Sequence, residues 1–275
     1  MQNRTEHSYH TLVTGVRKFF GDAGKKQAIL GLSGGIDSAV VLCVAIDALG
    51  SECVHGLMMP SPFSTVHSVT DAVKIAEQAD IHYDIVPIDV IYQKFLKELA
   101  PFLGHNQPDI TEENIQARIR ATLLMAYANK KDYLLLNTTN KSELAMGYGT
   151  LYGDLAGALM VLADVYKTQV YDLAMYINSE APRIPLSILH KEPSAELRID
   201  QKDSDSLPPY SILDPILQAL IEEEETPETV ISKGASKEVV EQAVDAMRNY
   251  AFKYLQLPPL VKVSERPLLS QEKWR

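Results

Sequence analysis

The chain has 275 residues, 46% of them hydrophobic, which is enough to bury the core of one large α/β domain or two small ones. Its 26 basic and 36 acidic residues give a net charge of −10, which argues against a general nucleic-acid binder while leaving room for a local basic pocket. Only two cysteines, Cys43 and Cys53, are present, with no signal-peptide pattern and no apolar run long enough to span a bilayer, so the expectation is a soluble cytoplasmic protein without a disulfide framework.

Residues 3–20 place Leu12, Val13, Val16, Phe19 and Phe20 at helical spacing and predict an amphipathic helix. The apolar run 28–32 reads as a buried strand. The chain then turns at Ser33-Gly34-Gly35 and continues as a helix carrying Ala39, Val40, Cys43, Val44 and Leu49, with Gly50 as its stop. Residues 53–59 read as a second strand ending at Pro60, and 61–65 as a loop at its carboxyl end. Val66, Val69, Val73 and Ala76 line a helix. A third strand follows at 82–88, a helix at 90–99 and a loop at 104–108. Thr111 can cap a long helix to about residue 129, and 133–137 is a fourth strand. Strands alternating with helices predict an α/β fold: a Rossmann-like parallel sheet with helices on both faces. Ligands then belong at the carboxyl ends of the strands, where residues 33–38, 61–65 and 137–143 should converge.

The second half is less regular. Residues 164–178 predict a helix. Residues 181–210, rich in Pro, Ser, Asp and Lys, read as a long functional loop, with 198–209 as a lid. Helices at 210–221 and 236–255 are separated by the run Glu222-Glu223-Glu224-Glu225, read as a solvated helix end and not a metal site. Residues 258–275 lack periodicity, and there is no internal repeat. The organisation expected is a single domain, 1–275, with a helical part at 210–275.

The turn after the first strand carries the chemistry. A strand, a Gly-rich turn and a helix N-terminus make an anion site, because the first amides of the helix are unpaired and its dipole favours negative charge. The glycines let the backbone approach the anion, and Ser33 and Ser38 add hydroxyls. Asp37 beside an anion makes sense if Mg²⁺ sits between them, held by carboxylate and phosphate oxygens. It could instead cap its own helix. The pattern is neither Gly-x-x-x-x-Gly-Lys-Ser/Thr nor Gly-x-Gly-x-x-Gly. Further along, Asn114 and Arg118 are four apart and share a helix face. Residues 137–154 supply Thr138, Glu143 and Asp154; 164–169 read Asp-Val-Tyr-Lys-Thr-Gln; 191–198 read Lys-Glu-Pro-Ser-Ala-Glu-Leu-Arg. Each has a plainer alternative. Glu143 could be a solvated first-turn residue, Arg118 could pair with Glu112 or Glu113, Asp154 could be a turn residue, and Lys167, Lys191 and Glu192 could be exposed. His10, His55, His67, His82, His105 and His190 show no metal-ligand spacing.

Ser-Gly-Gly-Ile-Asp-Ser, residues 33–38, resembles the pyrophosphate loop of ATP pyrophosphatases, which adenylate a substrate and release pyrophosphate. With Asn-Lys-Ser-Glu, Tyr-Gly-Asp, Tyr-Lys-Thr and Glu-Pro-Ser-Ala-Glu-Leu in this order, the chain resembles NAD synthetase from about residue 11 to 263. Thr-Leu-Tyr-Gly-Asp and Asp-Ser-Asp-Ser-Leu-Pro-Pro-Tyr look most like the synthetase domain of the glutamine-dependent branch, here starting directly at the synthetase helix without the preceding glutaminase domain. The resemblance implies ATP-dependent amidation of deamido-NAD to NAD by ammonia, through an acyl-adenylate. It implies that Gly31, Leu32, Ser33, Gly34, Gly35, Ile36, Asp37 and Ser38 hold ATP phosphates, with Met59 at adenine and Thr138, Lys167 and Ser194 on ATP. Asp37 and Glu143 would hold Mg²⁺. Asn114, Arg118, Leu151 and Lys253 match deamido-NAD positions, Asp154 a proton acceptor for ammonia, and Lys167 a charge-neutralising group as pyrophosphate leaves. Leu151 stands where many ammonia-dependent members carry Lys, residues 155–158 lack their acidic residue, and Ala-Phe-Lys-Tyr at 251–254 replaces a more basic stretch. A homodimer is implied by the family alone. The alternatives are another ATP pyrophosphatase amidotransferase, a tRNA-modifying enzyme, or a non-catalytic nucleotide-binding regulator. Neither cysteine looks like a glutaminase nucleophile, so free ammonia is the expected nitrogen source; whether a separate glutaminase docks is open.

Overall fold

Five parallel strands form the centre: β1 (Ala28–Gly31), β2 (Val54–Met58), β3 (His82–Ile85), β4 (Leu134–Asn137) and β5 (Leu159–Met160), in the order β3-β2-β1-β4-β5. The computed structural model describes residues 2–104 and 108–268. The loop expected at 104–108 and His105 therefore lie largely outside the described residues, as does the end of the 258–275 tail.

The inner strands β1, β2 and β4 are mostly apolar because both faces of the sheet are covered there, whereas the edge strand β3 is largely exposed. Their side chains alternate: Ala28 and Leu30 of β1 enter one core while Ile29 enters the other, and Leu136 and Leu135 of β4 divide the same way. The first core lies under α1 (Gln2–Asp22), α2 (Ile36–Leu49), α3 (Val66–Gln78) and α7 (Lys167–Glu180). The second lies under α4 (Asp89–Leu103) and α5 (Ile110–Lys131). A third cluster, beyond β5, is built from α6 (Lys141–Ala145), α9 (Tyr210–Ile221), α10 (Pro227–Ser232), α11 (Lys237–Asn249) and α12 (Ala251–Tyr254). The chain builds outward from β1 to β2 and β3, then returns to place β4 on the other side of β1. The strand order reverses there, so a crevice opens beyond the carboxyl ends of β1 and β4.

The α/β class and four of the strands match the sequence reading. β5 does not appear in it, because two residues carry no period; it is defined by long-range pairing of Leu136 with Leu159 and Asn137 with Met160. The third strand stops at Ile85, ahead of Pro87, which has no N–H for the ladder. Asp109, and not Thr111, caps α5, in a reciprocal box with Glu112. The helix expected from 164 begins only at Lys167, because Asp164 turns inward and accepts from the amides of Val263 (2.8 Å) and Ser264 (2.6 Å). The helix expected at 236–255 breaks at Tyr250, whose ring fills the space beside Gly147 that a Cβ would need. The acidic run is not wholly solvated, since Glu222 accepts from the fully buried Lys141 ammonium at 2.7 Å. The long 181–210 segment contains α8 (Leu186–His190), and within the proposed lid Gln201, Asp203 and Leu207 are buried.

Candidate active site

The turn after β1 is fixed by its neighbours. Gly34 has φ +73°, and a Cβ there would lie 2.1 Å from the carbonyl oxygen of Ser68. Only glycine fits that close approach. Ser38 Oγ donates to the Gly35 carbonyl at 2.9 Å, and the Gly35 amide donates to Ser33 Oγ at 3.2 Å. α2 starts from Gly35 without a side-chain cap, so Asp37 is not used in capping. Its carboxylate faces the crevice. Lys167 Nζ donates to Oδ2 at 2.6 Å, and Asn140 Nδ2 donates to Oδ1 at 2.9 Å.

The segment after β4 supplies the other half. Asn137 donates to the carbonyls of Asp154 (2.6 Å) and Ala156 (3.0 Å), tying the 154–156 backbone to the end of β4. Asn140 caps α6 in a reciprocal box with Glu143. That box turns Glu143 inward, so it is not a solvated first-turn residue; its Oε1 lies 3.5 Å from Lys167 Nζ. Burial, reinforced by Asp37, pushes the Glu143 carboxyl up to about 8, against the pull of Lys167. Lys167 is itself only 3% exposed, against the exposed alternative. Burial works against its charge, but Asp37 and Glu143 outweigh it and hold the ammonium well above the usual lysine range. Asp203 joins the same cluster; burial raises its carboxyl, while Lys167 and the Tyr210 hydroxyl, 2.9 Å away, oppose the rise.

Among the described residues no three His, Cys, Asp or Glu side chains form a metal cage. Asp37 and Glu143 nonetheless bring two sets of hard carboxylate oxygens together around Lys167 Nζ at the edge of the crevice. That donor set fits Mg²⁺ completed by phosphate oxygens and water.

These groups line one pocket of about 310 Å³. Of the residues singled out from sequence, Gly31, Leu32, Ser33, Gly35, Ile36, Asp37, Ser38, Met59, Thr138, Glu143, Asp154, Lys167 and Ser194 reach it. Asp154 is more than a surface turn residue: it accepts from the Thr150 amide, and burial raises its carboxyl despite that bond. Asn114, Arg118, Leu151 and Lys253 do not line this pocket. They meet instead at the 147–151 turn beside it. Asn114 Oδ1 accepts from Thr150 Oγ1 at 2.6 Å, and Arg118 Nε donates to the Leu151 carbonyl at 3.3 Å in place of pairing with Glu112 or Glu113. Lys253 Nζ donates to the carbonyls of Gly147 (2.9 Å) and Gly149 (2.7 Å). Lys191 is not exposed as its plain reading had it: it donates to Ser68 and, at 2.9 Å, to Glu196, and so holds the 191–198 segment over α3. Glu192 is exposed.

Sequence reasoning passed over Asn140, Asp203, Glu196 and Arg120. The Asn-x-x-Glu spacing of a capping box was a legible signal for Asn140. The others are brought in by tertiary packing.

A Gly-rich turn, a carboxylate pair and a buried lysine thus stand together at the switch point of a parallel sheet, where folds of this α/β class place their ligand crevice. Residues 8–258 match the family model described as NAD synthase, and the chain belongs to that family. It is 46% identical over 262 residues to the glutamine-dependent NAD(+) synthetase of Synechocystis sp., covering 95% of this chain and 47% of that protein. The chain thus spans about half the length of the curated relatives it matches. A structure of glutamine-dependent NAD+ synthetase from Acinetobacter baumannii in complex with ADP aligns with TM-score 0.67 and 41% identity, over 95% of this chain and 49% of that one. The NH3-dependent NAD synthetase of Campylobacter jejuni aligns with TM-score 0.74 and 29% identity, over 90% of this chain and 96% of that one.

Proposed function

We propose that the chain catalyses ATP-dependent amidation of deamido-NAD by ammonia, releasing AMP and pyrophosphate. The observation that carries this reading is the convergence of the 33–38 turn with Asp37, Glu143, Lys167 and Asp154 in one pocket. A carboxylate oxygen of the nicotinate attacks the α-phosphorus, and the bond to the β-phosphate oxygen breaks. The turn amides, Thr138 and Ser194 hold the phosphates, Met59 meets the adenine, and Lys167 offsets charge on the departing pyrophosphate. Asp37 and Glu143 would hold Mg²⁺, which neutralises phosphate oxygens when bound. Ammonia then attacks the acyl carbon, AMP leaves, and Asp154 takes the proton. Asn114, Arg118, Leu151 and Lys253 form the deamido-NAD side, and for the first three the 147–151 turn offers backbone and side-chain contacts. The working unit is a homodimer in the cytoplasm; among the described residues no helix is long and apolar enough to cross a membrane.

Incubation with ATP, Mg²⁺, ammonium and deamido-NAD should yield NAD and pyrophosphate in equal amounts. A chain that binds ATP yet forms neither product would be a nucleotide-binding regulator.

The 198–209 segment is proposed to close over the nucleotide and keep water from the acyl-adenylate. Its exposed residues, among them Arg198, Ile199 and Asp200, are accessible to protease, while Asp203 and Leu207 anchor it. Cleavage between 198 and 209 should slow when ATP and deamido-NAD are added together. Equal cleavage rates with and without them would remove the lid assignment.

A further inference from the structure

Three cationic side chains line the pocket: Lys167, Lys191 and Arg120. Two are already balanced. Lys167 lies between Asp37 and Glu143, and Lys191 pairs with Glu196. Arg120 is different: among the described residues, no carboxylate stands at ion-pair distance from its guanidinium, and its Nε donates to the Met59 carbonyl at 3.0 Å. That bond fixes the guanidinium against the backbone just past β2 and leaves its two terminal nitrogens without a carboxylate.

The surroundings specify where this cation stands. Arg120 is on α5, one turn on from Ala117, and a Cβ on Gly153 would lie 2.9 Å from the Ala117 Cβ. The Gly153-Asp154 backbone is therefore pressed against the helix beside Arg120. Met59 and the Gly153-Asp154 backbone flank the group, and all of them line the same pocket as Lys167. Burial pulls the guanidinium down to about 10, with Asp154 and Glu196 opposing from a distance, so it stays charged at neutral pH. A half-buried cation without a close counter-charge is left partly uncompensated, and an anion bound beside it offsets that. The planar fork matches two oxygens of one phosphate better than a point charge does.

We propose that Arg120 binds the α-phosphate of the nucleotide, the group that persists through ATP, acyl-adenylate and AMP. The assignment rests on the amidation reading for the identity of that nucleotide. It divides the work within the pocket. The turn and Lys167 take the departing pyrophosphate, and Arg120 steadies the phosphate that a second anion, the substrate carboxylate, must approach.

Calorimetric titration of Arg120→Gln with AMP, adenosine and pyrophosphate tests it. AMP binding should weaken about 10- to 100-fold, the loss expected for a hydrogen-bonded charge pair. Adenosine and pyrophosphate should bind as they do to the wild type. Equal losses for AMP and adenosine would mean that Arg120 only shapes the pocket, and unchanged AMP affinity would likewise overturn the assignment. If Arg120→Gln does not fold, Arg120→Lys keeps the charge and loses the fork; a severalfold loss for AMP alone is expected, and no selective loss overturns the proposal. Wild type that binds no AMP overturns it as well. The two readings separate cleanly. Wild type that binds AMP through Arg120 but forms no NAD retires the amidation reading alone. NAD formation with AMP affinity indifferent to Arg120 retires only this one.

Discussion

Asp37→Asn and Glu143→Gln should each slow pyrophosphate exchange into ATP by about 10²–10³-fold or more, the usual effect of removing one charge-stabilising group from a phosphate site. The fold should survive both. Each carboxylate has the other beside Lys167, so neither change leaves the ammonium without a counter-charge. The two variants should differ in stability, and the difference has a sign. Glu143 in the metal-free protein has its carboxyl raised from 4.5 to about 8 by burial and by Asp37. Between those values the folded state holds a proton that the unfolded state has released, so this group's contribution to stability falls as pH rises through the window. Glutamine mimics the protonated form at every pH. With EDTA present, Glu143→Gln should therefore gain in Tm relative to wild type as pH goes from 5 to 8. Asp37→Asn should lose Tm across that range, because it gives up the 2.6 Å bond to Lys167. Thermal melts in parallel with the exchange assay check both arms. Near wild-type exchange in both variants would remove the metal assignment, and a flat Tm difference for Glu143→Gln would remove the burial argument.

The parts of this molecule legible in its sequence are those fixed by neighbours along the chain. The apolar strand, Ser33-Gly34-Gly35 and the helix behind it are one continuous stretch, and the residue types alone predict a strand, a tight glycine turn and a helix N-terminus there. Alternation of strands and helices then places the ends of β1 and β4 side by side. What the sequence hides is which charges are already partnered. Lys167, Glu143 and Asp37 are brought to one ligand only by the family resemblance, and the direct ion pairs of Lys167 with both carboxylates have no sequence signal. Lys253 matches a deamido-NAD position by resemblance, but its ammonium is held by the carbonyls of Gly147 and Gly149, a contact that exists only because α12 packs beside that turn. Arg120 stands two residues after Arg118 and carries no local signal. Arg120 reaches the Met59 carbonyl and Arg118 that of Leu151, so the helix sends arginines two residues apart into different surroundings.

The nitrogen source should be ammonia for this chain on its own. Glutamine hydrolysis needs a thiolate that can form a thioester, with a base to activate it. Cys43 sits in α2 at 2% exposure, and burial pushes its thiol up to about 11, so it is neither accessible nor ionised at neutral pH. Cys53 immediately precedes β2 and contacts Gln27 (3.8 Å) and Glu52 (4.0 Å). The nearest imidazole along the chain, His55, is engaged by Asp84 at 3.0 Å, and burial lowers its pKa against that carboxylate's pull. Among the described residues, no nucleophile, base and orienting group come together at either thiol. Ammonium should thus support NAD formation and glutamine should give almost none. The rate should climb with pH, because free ammonia increases as ammonium deprotonates. Changing both cysteines to serine should leave the ammonia-dependent rate of the folded protein within about twofold, since neither thiol lines the pocket. Asp154→Asn should instead lower the amidation step by about 10²-fold, in the range of a lost general base, while leaving pyrophosphate exchange intact. Strong glutamine-driven turnover by this chain, lost when either cysteine is replaced, would overturn the assignment, and equal losses of exchange and amidation in Asp154→Asn would move that residue from proton transfer to nucleotide binding.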